Sequence, residues 1–500
     1  MKTVSQAISN GELRKQKSFL GHPKGVGTLS FMQLCNSYAS YGMSAILIYY
    51  LYAVKPEGLG LSQANAAQLI SLYSACSLMF GIVGSYVADR ILGTRRALCF
   101  SRAVTVLAYV CLALPFGGIV GYVGAMCLLL VSAMLCGRSA DALMGKFYDK
   151  SDSRRDGAYT IGYVISNIGA AAPVISGAIA LATGYHAAFL VCAVFAALGV
   201  AAYLITEKRF FGTIGYEPDD PLPADKKKSF IVKMIVAIVV AIAVFAVLFI
   251  SGILTIGVFS NVISTAAIFI PIVYFVIIIT SPKTQKEEKT RVANLIPAFI
   301  CNCFAMLVWT QSTSILAIFT EQRVDRVIFG MEISAASFQT LPAVFAIFLG
   351  AVVGSLWSVL GKRQPLAPAK IGIGTILWGC GPLFMTLPFM LYGAADKVSP
   401  LWIVVFYLLI ILGEAFTSPV GYSCASIVAP QAFATQMITV WSMSQSTGAA
   451  LNTLAVNFYK EGSEVPFFLV IGLITCAAGL IVLIFGKKIA ARMGMLEKTE

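Results

Sequence analysis

The sequence predicts an all-α polytopic membrane protein of about fourteen spans. Three observations point there. Apolar residues make up 58% and charged residues 12% of the 500 residues, whereas soluble domains run near about 45–50% and 25%. The mean hydropathy is +0.84. Apolar runs recur along the whole chain, each of about the 20 residues a helix needs to cross a bilayer. A soluble enzyme, a nucleic-acid binder and a disordered chain are excluded by these figures.

Taken in order, the first 27 residues are polar and basic (Arg14, Lys15, Lys17, Lys24) and read as a cytoplasmic N-terminus. The apolar run after them is too long for the core of a cleavable signal, so none is expected. Six spans follow near 28–53, 66–87, 97–116, 119–145, 158–182 and 187–206, giving an N-terminal bundle over 28–206. The stretch 207–292 holds two more spans near 229–250 and 253–280, isolated by basic linkers at 207–228 and 281–292. This middle pair is apolar on all sides and reads as peripheral packing. Six last spans lie near 294–319, 335–361, 369–392, 401–427, 432–458 and 464–487, a C-terminal bundle over 293–487. Residues 488–500 read as a cytoplasmic C-terminus.

The net charge is +13. About 28 of the Lys and Arg residues fall in loops on one side and about five on the other, which places both termini in the cytoplasm. The excess is a rim facing anionic lipid and needs no nucleic-acid partner. The 12 cysteines sit almost entirely in apolar runs, where Cys is a small packing residue. Cys301 and Cys303 have no second pair and no nearby His. No metal or cofactor is expected, and no lipidation motif stands out.

After the second span comes Gly84-Ser-Tyr-Val-Ala-Asp89-Arg90-Ile-Leu-Gly93-Thr-Arg95-Arg96. Its helix-end Asp89 and the following Arg90 can latch the loop to neighbouring helix ends, and its glycines allow close helix packing. With the six-plus-six layout, the loop resembles the signature of the major facilitator superfamily.

Further segments resemble the proton-dependent oligopeptide transporter (POT) family, whose bacterial members also carry two helices between the halves. Tyr41-Gly42-Met43 stands where that family has Y-Y-G-M. The run from Gly162 through Asn167 to Gly169 is similar to F-Y-x-x-I-N-x-G. Gly413-Glu414-Ala-Phe-Thr-Ser418-Pro419-Val-Gly421 is similar to G-E-x-x-x-S-P-x-G. Val324-Asp325-Arg326, Phe338-Gln339 and Gly361-Lys362-Arg363-Gln364-Pro365 with Pro368-Ala369-Lys370 match other elements. The resemblance runs through both halves. It implies a secondary transporter working by alternating access, with substrate held between two six-helix bundles.

The departures bear on mechanism. Where the family's first span has E-x-x-E-R-F-x-Y-Y-G-M-R, this chain has Gln33, Asn36, Ser37, Tyr38, Ser40, Tyr41, Gly42, Met43 and Ser44. The fourth-span lysine falls at Gly137, followed by Arg138. The seventh-span glutamate falls at Thr310, beside Gln311. The resemblance assigns proton coupling, gating and recognition of the peptide carboxylate to these missing charges. Glutamine cannot titrate, and serine cannot pair a carboxylate as guanidinium does.

Few ionisable groups remain deep in the apolar runs, and each is a functional candidate because of its cost there. Glu414 lies mid-span before Pro419. The resemblance makes it the receptor of a peptide's amino group; carrying a proton or bonding a neighbouring helix are alternatives. Arg138 and Asp141 lie three apart on one helix face and can pair. Arg138 can replace the missing lysine, or the pair is simply self-neutralised. Asn167 and Tyr41 offer uncharged hydrogen bonds, and Trp441 stands where the family has a pocket tryptophan. Core packing is the alternative for all three. Gln33, Asn36 and Gln311 can form an uncharged polar site or bond between helices. Neither His22 nor His186 lies mid-membrane.

The expected function is transport of a small peptide or peptide-like, amine-bearing solute, with altered or absent proton coupling. The alternatives are an uncoupled facilitator of a cationic solute and a membrane receptor without transport. An enzyme is not expected, because paired carboxylates, metal-spaced ligands and Ser-His arrangements are missing from the spans. ATP does not drive it through a P-loop, since that motif is missing. The expected partners are the solute, protons if coupling persists, and the lipid bilayer of the plasma membrane, with the chain as a monomer.

Overall fold

The computed structural model describes residues 10–495, apart from 137–138, 149–151, 153, 219–220, 253–254, 394 and 461. Short α1 (Asn10–Lys15) precedes α2 (Lys24–Tyr52) and α3 (Gln63–Val87), which ends in a π-helical turn, Ala88–Leu92. Then come α4 (Thr94–Ala113), α5 (Gly118–Cys136), α6 (Ser139–Gly145), α7 (Arg154–Gly169), α8 (Ala172–Thr183) and α9 (Tyr185–Phe210). The middle helices are α10 (Ala224–Ile250) and α11 (Ile256–Thr280). Next are α12 (Lys286–Ser312), α13 (Ile315–Arg323), strands β1 (Val327–Ile328) and β2 (Met331–Glu332), α14 (Leu341–Leu360) and α15 (Ala367–Leu391). The chain closes with α16 (Leu401–Val428), α17 (Ala434–Ala455), α18 (Glu464–Ile484) and α19 (Gly486–Arg492). Over the described residues, the apolar runs expected from the sequence fall largely on helices or on consecutive helical pieces. Eleven helices among the described residues are long and apolar enough to cross a membrane.

Contacts divide the chain into two compact units. The first holds residues 1–46, 54–59 and 79–255; the second holds 47–53, 60–78 and 256–500. Helices α2 and α3 each contribute to both. In the first unit α4 packs on α5 and α9. Ser101, Thr105 and Ser132 bond one another across α4 and α5 at 2.8 Å, which satisfies their hydroxyls away from water. An apolar core gathers Leu13, Phe147, Tyr203 and Phe211 at one end of this unit.

In the second unit α15 is the packing centre, against α18 and α16. Glycines set its distances. Cβ atoms built on Gly372 and Gly479 would lie 2.8 and 2.7 Å from each other's carbonyl oxygens. Gly379 and Gly472 repeat the contact two turns on. Small residues at such spacing let membrane helices touch backbone to backbone, where packing must supply what the hydrophobic effect cannot.

The middle helices differ from the uniform apolar pair expected. Helix α10 shows Val232, Val239 and Val247 on an exposed face. Helix α11 buries a stripe of Ser260, Ser264, Ala267, Pro271, Phe275 and Ile278 and packs on α17. There Asn457 donates to Asn261 Oδ1 at 2.7 Å. The three small residues at helical spacing permit the approach, so α11 belongs to the packing of the second unit. Beyond α13, the β1–β2 hairpin is pinned by Arg326 on Glu332 at 2.9 Å. Val324, of the V-D-R element, bridges Val398.

Candidate functional site

The polar side chains of α2 form one stripe. Gln33, Asn36, Ser37, Ser40, Tyr41 and Ser44 recur at three- and four-residue spacing, so they share one side of the helix. The stripe is held against α7. Gln33 donates to Ser37 at 3.3 Å, and Ser37 bonds Ser166 of α7 at 3.1 Å. Gly169 makes the approach possible, because a Cβ there would lie 2.4 Å from Ser37 Cβ. Asn167 follows Ser166 directly and is half-buried. Tyr41 is 45% exposed, and Gln33 and Asn36 are half-buried. The first unit thus brings Gln33, Asn36, Tyr41 and Asn167 onto two adjoining helices, without a charge among them.

Asp141 sits on α6, where its carbonyl accepts the Tyr159 hydroxyl at 3.1 Å. Arg138, its expected partner, lies outside the described residues.

In the second unit Glu414 is half-buried on α16. Its neighbour Gly413 meets Gly374 of α15 backbone to backbone. One turn on, Thr417 accepts from Trp378 Nε1 at 3.3 Å and donates to the Gly413 carbonyl at 3.1 Å. Two residues later Pro419 stands inside the helix, where it removes one backbone donor. Among the described residues, none of the ion pairs includes Glu414.

Two candidates are placed differently from expectation. Trp441 is 1% exposed and belongs to the core of the second unit. Its indole lies on Gly421, where a Cβ would come within 1.9 Å of Cζ2, and edge-on to Phe299. In this structure it packs within the core. Gln311 is also fully buried. It lies at the end of α12, where Ser312, Thr313 and Ser314 turn their hydroxyls back onto the Trp309 and Thr310 carbonyls. Among the described residues, neither its amide nitrogen nor its amide oxygen has a partner. A buried amide in that state carries the full desolvation cost of its polar atoms.

The structure adds residues that the sequence reading passed over. Asn302 of α12 donates to Ser444 of α17 at 2.5 Å, one turn from Trp441. Asn452 of α17 bonds Ser71 of α3 at 2.9 Å and Ser314, in the turn before α13, at 3.1 Å, all through uncharged groups. Glu321 of α13 accepts the Tyr52 hydroxyl. An amide or acid inside an apolar run was the available signal for each.

In the signature loop, Asp89 is exposed and the Arg90 guanidinium lies 5.9 Å from the Tyr86 ring. The residue that fastens this loop is Arg95. It donates to Tyr203 at 2.8 Å and to the Gly212 carbonyl at 2.7 Å, and it pairs with Glu207 at 3.6 Å. Gly93, at φ +83°, turns the chain into α4 with its Cα against the Tyr216 backbone, where a side chain would not fit.

A second fastening holds α1. Arg154 binds Asp152 at 2.7 Å and reaches the carbonyls of Arg14 and Gln16. Nearby, His22 Nδ1 and the Tyr148 hydroxyl are 2.7 Å apart. Burial, and then the Arg154 charge, hold the His22 pKa below its ordinary value. Burial pushes the Tyr148 phenol up to about 12. The Arg154 hydrogen bonds hold Asp152 below the usual carboxylate range. The described residues contain no cluster of three or more His, Cys, Asp or Glu that could hold a metal.

With that geometry in place, known proteins offer a comparison. Residues 139–478 match the POT family. The di-/tripeptide transporter of Lactococcus lactis subsp. lactis is 35% identical over 490 residues, covering 96% of this chain and 98% of the relative. A peptide transporter POT crystallised with sulfate superposes with a TM-score of 0.93 at 34% identity, covering 97% of this chain and 99% of that one. A POT family transporter in complex with 5-aminolevulinic acid gives 0.88 at 30%, covering 95% and 98%.

Proposed function

The chain belongs to the POT family and is a multi-pass membrane protein, and from that premise we propose that it moves small peptides or peptide-like, amine-bearing solutes by alternating access with weak or absent proton coupling. The observation that carries this reading is the contrast between Glu414 and the α2 stripe. Glu414 is an acid without an ion-pair partner among the described residues. A substrate ammonium is the natural complement of a partly desolvated carboxylate, because each removes the other's cost. On α2, by contrast, Gln33, Asn36, Ser37 and Tyr41 offer only uncharged donors and acceptors. Such a stripe can bond an amide, ester or hydroxyl. It gives no cation to a carboxylate and no carboxyl to a proton at those positions.

The peptide and 5-aminolevulinic acid named for the relatives support an amine-bearing solute. Proton symport through the first-span acids is not available, since those acids are amides here. The strong positive bias of one set of loops supports termini in the cytoplasm.

The test is uptake into liposomes of a panel of free peptides, carboxyl-blocked peptides and amines, with and without an inward proton gradient. Carboxyl-blocked peptides should enter as well as free ones, and the gradient should change rates by less than about two-fold. Uptake of free peptides alone, or uptake that needs the gradient, overturns the reading. Glu414→Gln, with an unchanged melting curve, should lose at least about ten-fold in amine affinity, the loss of one charge-assisted contact. Binding without uptake of any solute would favour a receptor.

A further inference from the structure

We propose that a groove on the outside of the first unit, between the Lys24 end of α2 and the Phe210 end of α9, binds an anionic phospholipid. One acyl chain lies in the groove and the headgroup rests on Lys24. The cavity has a volume of about 420 Å³, within the size range of small-molecule sites.

Its walls are apolar. Ile205 is 80% exposed, and Phe31 of α2 also shows much of its ring to the outside. The Phe19 ring closes one side by resting on Gly27, where a Cβ would come within 3.0 Å of it. The groove floor makes no demand for a polar occupant. The Thr28 and Thr206 hydroxyls bond each other at 3.2 Å, and Thr206 also donates to the Ala202 carbonyl at 2.7 Å. A water-filled cleft would leave such groups for the solvent, whereas here they are already satisfied.

Charge selects the occupant. The Lys24 ammonium stands at the mouth, 5.7 Å from the Phe210 ring centroid. Lys17, next to the lining residue Ser18, and Lys208 and Arg209, just before Phe210, are exposed on the same stretches. Among the described residues, no acid lines the groove. Both helices end here, so in a membrane the mouth lies at headgroup depth and the groove faces the acyl chains. A ligand with an apolar body and an anionic head meets every one of these features, and basic pockets at helix ends bind such headgroups.

The experiment uses the full chain in neutral detergent. Its melting temperature is followed while phosphatidylglycerol or phosphatidylcholine of the same chain length is added, since a ligand of the native state stabilises it by mass action. Phosphatidylglycerol should raise the midpoint in a saturable way, and phosphatidylcholine should not. Lys24→Ser should weaken the phosphatidylglycerol response about five-fold, the effect of one basic residue at an anionic surface. Ala202→Phe, which fills the groove floor, should abolish it. If that variant shows no melting transition, Ile205→Ser, at an exposed wall position, replaces it and should weaken the response. Equal responses to both lipids overturn the proposal. So does an unchanged response in both Lys24→Ser and the wall variant, or an equal shift from glycerol phosphate without acyl chains.

Discussion

Among the described residues, each unit buries one Arg or Lys at the start of a helix that follows a basic loop, and the two do it by different chemistry. Arg95, second residue of α4, is 4% exposed; Lys370, fourth residue of α15, is 9% exposed. Arg95 is saturated with acceptors: the Tyr203 hydroxyl, the Gly212 carbonyl and the Glu207 carboxylate. The Tyr216 ring also lies near it, 5.4 Å from its guanidinium and 3.7 Å from that of Arg96. Lys370 has no carboxylate in its ion-pair range among the described residues. Its ammonium bonds Gln364 at 2.5 Å and sits 4.2 Å from the centroid of Trp357. Guanidinium, planar and with five donors, suits a cage of oxygens; an ammonium on a flexible stem suits one acceptor and a π face. A charge held by a countercharge and a charge held by a ring therefore differ in what their removal leaves behind.

That difference can be broken at its strong end first. Arg95→Ala strands Glu207 and the Tyr203 hydroxyl, so it should destabilise the protein by about 3 kcal/mol, the cost of breaking a buried pair from one side. A melt in detergent that matches the parent would refute the cage. Trp357→Ala removes both the π face for Lys370 and the edge contact with Phe416. It should cost about 2 kcal/mol, read the same way. Lys370→Met strands no carboxylate and should change stability by less than about 1 kcal/mol. A loss as large as that of Arg95→Ala would mean Lys370 has a countercharge after all.

The smallest expected effect is on pH. His22 has a folded pKa below its unfolded value, so the unfolded chain binds the extra proton. The contribution is whole above pH 6.5 and is lost as pH falls through the lower folded value. Asp152 is also depressed, so its contribution too disappears on acidification, at lower pH. Protection factors of the amides of residues 10–23, which remove the intrinsic base-catalysed rate, should therefore fall between pH 7 and pH 5, and His22→Gln should remove the upper part of that change. Protection factors that rise on acidification contradict the sign.

How much of this was legible in the sequence depends on the residue. Glu414 was visible because an acid in an apolar run is expensive wherever the helix faces. The neutral stripe of α2 was visible because helical spacing fixes which side chains share a side. Arg95 was hidden among other arginines of a basic loop. What sets it apart is the Gly212 turn, 117 residues away along the chain. For Trp441 the sequence left a pocket role and core packing open for the same reason: only the bare backbone of Gly421 on another helix shows its ring buried.

The sequence by itself determined the all-α membrane class, the charge bias of its loops, the family resemblance and the loss of titratable groups from α2. Those are properties of composition and of short-range spacing, which one dimension records. Only the tertiary structure decided which polar groups are sealed, which are exposed, and how a buried cation is compensated. Burial and pairing join residues distant in the chain, and the glycine contacts that bring helices together are set by both partners at once.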